Sequence, residues 1–122
     1  MTPKNPQFRL KEPVFKVSEN DVESACLDVL RLRGYWPTRM HAGLFKSADG
    51  KRWIRGVEKG TPDWLAMRKP SFFVEVKRPG GVLSEIQKQR IFQLDKFFDL
   101  KTVVVEEVEE LIDWLDHHQR SP

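Results

Sequence analysis

Cysteine is nearly missing from this chain, Cys26 being the only one. A lone thiol cannot close an internal disulfide, so a reducing compartment, the cytoplasm, is the simpler expectation. One cysteine and three histidines at unhelpful spacings make a poor zinc set. Nothing beside Cys26 marks it as an activated nucleophile, and it falls on the apolar side of a predicted helix. Long apolar runs are missing too. None approaches the ~20 residues of a membrane span, and the first residues lack the apolar stretch of a secretory leader, so neither is expected. No internal repeat or low-complexity block appears. Hydrophobic residues make up 39% and charged residues 32% of 122, an ordinary globular balance. That length suits one domain with one core.

The net charge of +3 is small, but it is unevenly placed. Arg31, Arg33, Arg39, Lys46, Lys51, Arg52, Arg55 and Lys59 crowd one stretch, opposed there only by Asp49 and Glu58. After Lys101 the balance reverses, with Glu106, Glu107, Glu109, Glu110, Asp113 and Asp116. A basic stretch is either a solvated hairpin or a surface that holds a polyanion by its phosphates. Arg39, Lys51, Arg52, Arg55 and Lys59 are the candidate contacts within it, with Arg78 further on. Trp36 and Trp53 can stack on unpaired bases, although large aromatics in a small α/β domain more often serve the core.

Residues 1–17 hold Pro3, Pro6 and Pro13 among Lys4, Arg9, Lys11 and Lys16, the composition of an extended basic arm. The remaining residues, 18–122, read as a single domain. Ser18 with Asp21 three residues on is a helix start, Val22, Ala25, Cys26, Val29 and Leu30 keep helical spacing, and Gly34 ends the run. Tyr35 to Lys46 and Lys51 to Val57 read as strands joined by Ala48-Asp49-Gly50. Ser84 with Gln87 forms a second capping box, opening a helix to about Phe98 whose expected buried face is Ile91, Leu94, Phe97 and Phe98. Thr102 to Val105 is an all-apolar strand suited to a central or parallel place, and Val108, Leu111, Ile112 and Leu115 mark a last helix. His117 and His118 end that helix, where cations suit its dipole. The order is helix, three strands, helix, strand and helix, an α/β class with a crossover helix.

The chemistry concentrates in two segments. Gly60-Thr61-Pro62 is a tight turn presenting Asp63, and Phe72-Phe73-Val74-Glu75-Val76-Lys77 is a strand bounded by Pro70 and Pro79-Gly80-Gly81. Alternation along a strand puts Glu75 and Lys77 on one face. Alone, Asp63 reads as a turn cap, and Glu75 with Lys77 as a plain ion pair. Together they are two carboxylates that suit a hard cation such as Mg²⁺ and an ammonium that can offset charge on a phosphate under attack.

Pro62-Asp63 with Glu75-Val76-Lys77 resembles the PD-(D/E)xK nuclease signature. The flanks are similar to the VRR-NUC (virus-type replication-repair nuclease) family across roughly residues 18–112. They include Glu23, Gly34, Arg39-Met40-His41-Ala42-Gly43, Arg55 through Asp63, Lys77-Arg78-Pro79-Gly80-Gly81 and Leu83-Ser84-Glu85-Ile86-Gln87. His41 departs from the small polar residue usual at its place. The resemblance implies a restriction-endonuclease-like core and a Mg²⁺- or Mn²⁺-dependent endodeoxyribonuclease. Asp63, Glu75 and the Val76 backbone carbonyl would be its metal ligands and Lys77 its catalytic lysine. Gln87 would face the site, and Glu23, with Glu19 as the alternative, would reach the metal through a water. Standalone members of the family imply a homodimer acting on branched DNA such as Holliday junctions, in a bacterium or a virus-infected cell. The alternatives are a nuclease acting on flaps, ends or single strands, a non-cleaving nucleic-acid-binding module of the same fold, and a structural or inhibitory protein using the acidic tail.

Overall fold

The computed structural model describes residues 18–118, so the expected basic arm lies outside the described residues. Among the described residues three helices and a mixed sheet make an α/β fold. Helix α1 (Glu19–Leu32) begins at a capping box: Ser18 Oγ accepts the Asp21 N–H at 3.1 Å, and Asp21 Oδ2 accepts the Ser18 N–H at 3.2 Å. Gly34 follows it with φ of +86°, backbone that a side chain rarely adopts. Strands β1 (Trp36–Arg39), β2 (Leu44–Lys46), β3 (Trp53–Arg55), β4 (Trp64–Met67) and β5 (Phe72–Val76) come next. Helix α2 (Glu85–Phe98), strand β6 (Thr102–Val105) and helix α3 (Val108–His118) complete the order.

The main sheet runs β1-β4-β5-β6, antiparallel except for the parallel pair β5–β6. Helix α2 supplies the crossover that a parallel pair requires. The apolar β6 takes a parallel place, at the sheet's edge rather than its centre. Phe72, Val74 and Val76 of β5, with Ala66, Val103 and Val105, pack against Val22, Cys26 and Leu30 of α1 and Leu111 and Leu115 of α3. Phe72 sits between Tyr35 and Trp114, with ring centroids 5.3 and 4.3 Å away. Each such side chain removed from water contributes about 1.5–3 kcal/mol.

Two expectations are corrected. The strand expected from Tyr35 to Lys46 is two strands, and the one from Lys51 to Val57 is ordered as strand only over Trp53–Arg55. Gly43, with φ of +86°, turns the chain out of the main sheet. Strands β2 and β3 then pair only with each other, as a hairpin inserted between β1 and β4. Among the described residues five strands therefore precede α2, three of them in the main sheet. The second correction concerns α2, none of whose residues is buried. Ile91 and Leu94 are half-buried, but Phe97 and Phe98 are exposed, as is Phe92. The reason lies beneath the helix. Gln87, in its first turn, bonds to Lys77 and Glu75, but no other described element packs extensively along the helix.

Candidate active site

The site forms where β4 begins and β5 ends. Trp64 lies opposite Val74 in the antiparallel register, so Asp63, one residue earlier, arrives beside Glu75. The Asp63 N–H donates to Glu75 Oε1 at 3.0 Å, and the Val76 N–H donates to Asp63 Oδ2 at 3.1 Å. Each carboxylate is thus fixed by the backbone of the segment that carries the other. A strand residue's N–H and C=O point to the same neighbour, so the Val76 carbonyl also faces the side on which β4 has ended.

The turn before Asp63 is held by its own residues and by α2. Thr61 donates to the Glu58 carbonyl through its N–H at 3.1 Å and its Oγ1 at 2.6 Å. At Gly60 φ is +91°, and a Cβ there would stand 2.8 Å from the Ile86 carbonyl oxygen. Only a glycine lets the turn lie this close to the first turn of α2, and that contact delivers Gln87 to the site.

Gln87 does both jobs that its position suggests. As the third residue of the capping box, it donates its N–H to Ser84 Oγ at 3.2 Å and accepts the Ser84 N–H on Oε1 at 2.8 Å. The same Oε1 accepts from Lys77 Nζ at 3.2 Å, while Nε2 donates to Glu75 Oε2 at 3.1 Å. Lys77 Nζ lies 3.7 Å from Glu75 Oε2. The amide therefore bridges carboxylate and ammonium, and the helix cap fixes its orientation.

Glu75 is 3% exposed. Burial, followed by the charge of Asp63, raises its carboxyl from 4.5 to about 7. Asp63 is also raised, chiefly by burial, against the lowering effect of the Val76 N–H. A buried and a half-buried carboxylate held together favour a cation between them. Among the described residues no group of three or more His, Cys, Asp or Glu side chains is arranged to hold a metal. What remains is a pair of hard oxygen donors, with Asp63 Oδ1 accepting no hydrogen bond from a described residue. That set fits an ion of the Mg²⁺ kind, which binds through one or two carboxylates and keeps waters of its own.

Glu23 is close, but it is engaged elsewhere. Its Oε2 accepts from Trp64 Nε1 at 2.7 Å and from Arg39 Nη1 at 3.5 Å, and the Arg39 guanidinium lies 5.5 Å from the centre of the Trp64 ring. No hydrogen bond joins Glu23 to Asp63 or Glu75 among the described residues, although its charge is felt at Asp63. Glu19, one turn earlier, lines a hollow of about 240 Å³ with Lys77 and Arg78.

Of the expected nucleic-acid contacts, Arg39 stands at the site's edge and Arg78 beside Lys77, while Lys51, Arg52, Arg55 and Lys59 belong to the hairpin and its return. Trp36 and Trp53 are 73% and 65% exposed, which overturns their use as core. Cys26 is buried, and burial pushes its thiol up to about 11, the opposite of activation. Sequence reasoning missed Trp64 as the partner of Glu23. It also missed Arg90, which reaches the Lys59 carbonyl at 3.4 Å and ties α2 to the hairpin's return. No short-range pattern signals either contact, since each joins segments far apart in the chain. No protein-family model, curated protein or solved structure matches this chain.

Proposed function

We propose that this chain is a divalent-metal-dependent endonuclease with a restriction-endonuclease-like core, hydrolysing phosphodiester bonds in structured DNA, branched DNA above all. The observation that carries the reading is the convergence of Asp63, Glu75, Lys77 and Gln87 in one hydrogen-bonded cluster at the end of β5. A helix, an antiparallel three-stranded run, a crossover helix and a parallel fourth strand support the core assignment.

A divalent cation held by Asp63, Glu75 and the Val76 carbonyl would activate a water and polarise the phosphoryl oxygen. The rest of the work belongs to the chain. Lys77, held by Gln87, places a positive charge where negative charge grows on the phosphate in the transition state. Gln87 bonds to both Glu75 and Lys77 and so orients the pair, whose charged groups lie 3.7 Å apart. Arg39 and Arg78 flank the cluster as phosphate contacts that set register without reading sequence. A domain of this size has little spare surface for reading sequence, which favours recognition of shape. For the homodimer that the resemblance implies, the exposed Phe97 and Phe98 at the end of α2 offer uncovered apolar side chains.

The test is cleavage of a labelled four-way junction and its matching linear duplex with Mg²⁺, Mn²⁺ or EDTA. Paired metal-dependent nicks in the junction alone are expected, with none from Asp63→Ala. Lys77→Ala should be slower by ~10²–10³-fold. Junction binding without cutting in any metal would replace this reading by that of a non-cleaving module.

A further inference from the structure

The β2–β3 hairpin leaves the main fold and returns to it at the proposed active site. Met40, after β1, donates its N–H to the Asp63 carbonyl at 2.8 Å, and the chain that re-emerges from β3 ends on Asp63 itself. The root of the hairpin is closed by Gly43 N–H to Val57 O at 3.0 Å and by Gly56 N–H to Gly43 O and Val57 N–H to His41 O, both at 2.8 Å.

Every residue of both hairpin strands is exposed. Register places Leu44 opposite Arg55 and Lys46 opposite Trp53, so these four share one face. That face alternates apolar and cationic groups in both directions. Leu44 is 57% and Trp53 65% exposed, and Lys46 Nζ lies 5.0 Å from the centre of the Trp53 ring. The opposite face is different: Phe45 and Ile54 are less exposed, and Phe45 leans toward His41 with ring centres 6.0 Å apart.

The cations of this region have no anionic partner of their own. Among the described residues no ion pair involves Lys46, Lys51, Arg52, Arg55 or Lys59. The two acids are already engaged: Asp49 Oδ1 accepts from Ser47 Oγ and the Lys51 N–H, and Glu58 lies 4.0 Å from Arg90. A cleft of about 560 Å³ opens at the root, lined by Leu44, Arg55, Glu58 and Lys59 among others. Its volume is that of a site for a small molecule or a residue of a polymer.

We propose that this hairpin face binds unpaired nucleotides of the substrate, Trp53 stacking on a base while Lys46 and Arg55 take the phosphates on either side. An apolar face alone would suit another protein, and cations alone would suit any duplex backbone. Alternation of the two at the spacing of neighbouring strand residues suits a chain that alternates flat rings with phosphates, and only unpaired strands expose both. The proposal rests on the nuclease reading in taking the polyanion to be nucleic acid. It deepens that reading by naming the substrate class: DNA with an unpaired stretch next to the scissile bond, as at an opened junction, a flap or an end.

The experiment is binding of fluorescently labelled probes to the full chain in EDTA, so that nothing is cut. The probes are an oligothymidylate strand, a blunt duplex, and the same duplex with a single-stranded overhang. Circular dichroism confirms that each variant folds. Tighter binding to the strand and the overhang than to the blunt duplex is expected. Trp53→Ala should weaken binding to those two probes by about tenfold or more, while Trp53→Phe retains most of it. Arg55→Gln should lower the salt dependence by about one counterion instead. Unchanged strand binding by Trp53→Ala overturns the proposal, as does preference for the blunt duplex. So does a dimer, seen by sedimentation, that Trp53→Ala dissociates, because the face is then a contact between copies. If the strand binds through Trp53 but no DNA is cut in Mg²⁺ or Mn²⁺, this inference stands and the nuclease reading falls. Cutting with unchanged binding by Trp53→Ala gives the reverse.

Discussion

Strand β5 and the β2–β3 hairpin are built from the same kinds of residue and meet opposite fates. Phe72, Phe73, Val74 and Val76 are all buried, whereas Leu44, Phe45, Trp53 and Ile54 are all exposed. Residue type does not separate them; neighbours do. Strand β5 pairs with β4 and β6 and is covered by α1 and α3, whereas each hairpin strand pairs only with the other. A lone hairpin is marginal in water, so this one depends on its closed root. The charges follow the same division. Strand β5 buries a carboxylate, and the hairpin presents cations that have no ion-pair partner among the described residues. The chain leaves for the hairpin and returns from it beside Asp63, so on the proposed function one region would do chemistry on a phosphate and the other would hold a strand.

The comparison breaks most visibly by truncating an aromatic in each region. Phe72→Ala should cost about 3–5 kcal/mol in urea unfolding, because the ring is enclosed by Tyr35 and Trp114. Trp53→Ala should change stability by no more than about 0.5 kcal/mol. Comparable losses would mean that the hairpin is packed against something in solution, and the contrast would collapse.

Charge gives the next largest effect. The Glu75 carboxyl is raised from 4.5 to about 7, and Asp63 is raised in the same direction. Between those two values the folded chain holds more protons than the unfolded one. Burial of Glu75 therefore costs nothing below about pH 4.5, and stability falls as pH rises through about 7. In EDTA the loss should reach about 3 kcal/mol by pH 8. Asp63→Asn removes the facing charge and should make the decline shallower, and added Mg²⁺ should restore stability at pH 8. Urea unfolding across pH checks each arm. A flat profile would mean that the pair is as well solvated as the hairpin.

How much of this was legible in the sequence divides along the same line. The helices, their caps and β5 follow from local spacing, and so does the convergence of Asp63 with Glu75 and Lys77, since strand alternation and one turn are enough to bring them together. Gln87 was legible twice, as a cap and as a site residue, and one amide fills both places. The hairpin was not legible as a separate sheet. Leu44, Phe45, Trp53 and Ile54 look like core, and only the absence of a covering layer makes them surface. Phe97 and Phe98 misled for the same reason, because helical spacing shows which residues share a face but not whether anything lies against it. The bond from Trp64 to Glu23 joins α1 to β4, and nothing local to either segment announces it.

A smaller effect sharpens the contrast at the hairpin's root. A Cβ on Gly56 would stand 1.7 Å from the His41 carbonyl oxygen, so Gly56→Ala must push the two legs apart. A cost of about 1–3 kcal/mol is expected, confined to the hairpin. Hydrogen exchange should quicken at Gly43, Gly56 and Val57 and stay unchanged in β5. Weaker DNA binding with an intact main sheet should accompany it. Faster exchange in β5 would show that the hairpin and the sheet are one cooperative unit.

The smallest effect on stability belongs to Glu23, which stands between the two regions. Both of its hydrogen bonds land on Oε2, so Oε1 accepts none from a described residue. Glu23→Gln keeps an oxygen for Trp64 Nε1 but gives up the ion pair with a half-exposed Arg39, worth under about 1 kcal/mol. If the free oxygen orients a water at the site, the same variant slows cleavage by about tenfold to a hundredfold and leaves junction affinity unchanged. If Glu23 serves only to seat Trp64, rate and affinity both stay as they are. Single-turnover cleavage beside EDTA binding separates the two outcomes, and Arg39→Gln supplies the control. If Arg39 contacts a phosphate as proposed, its loss should weaken junction binding and flatten its salt dependence, an effect that Glu23→Gln should not share.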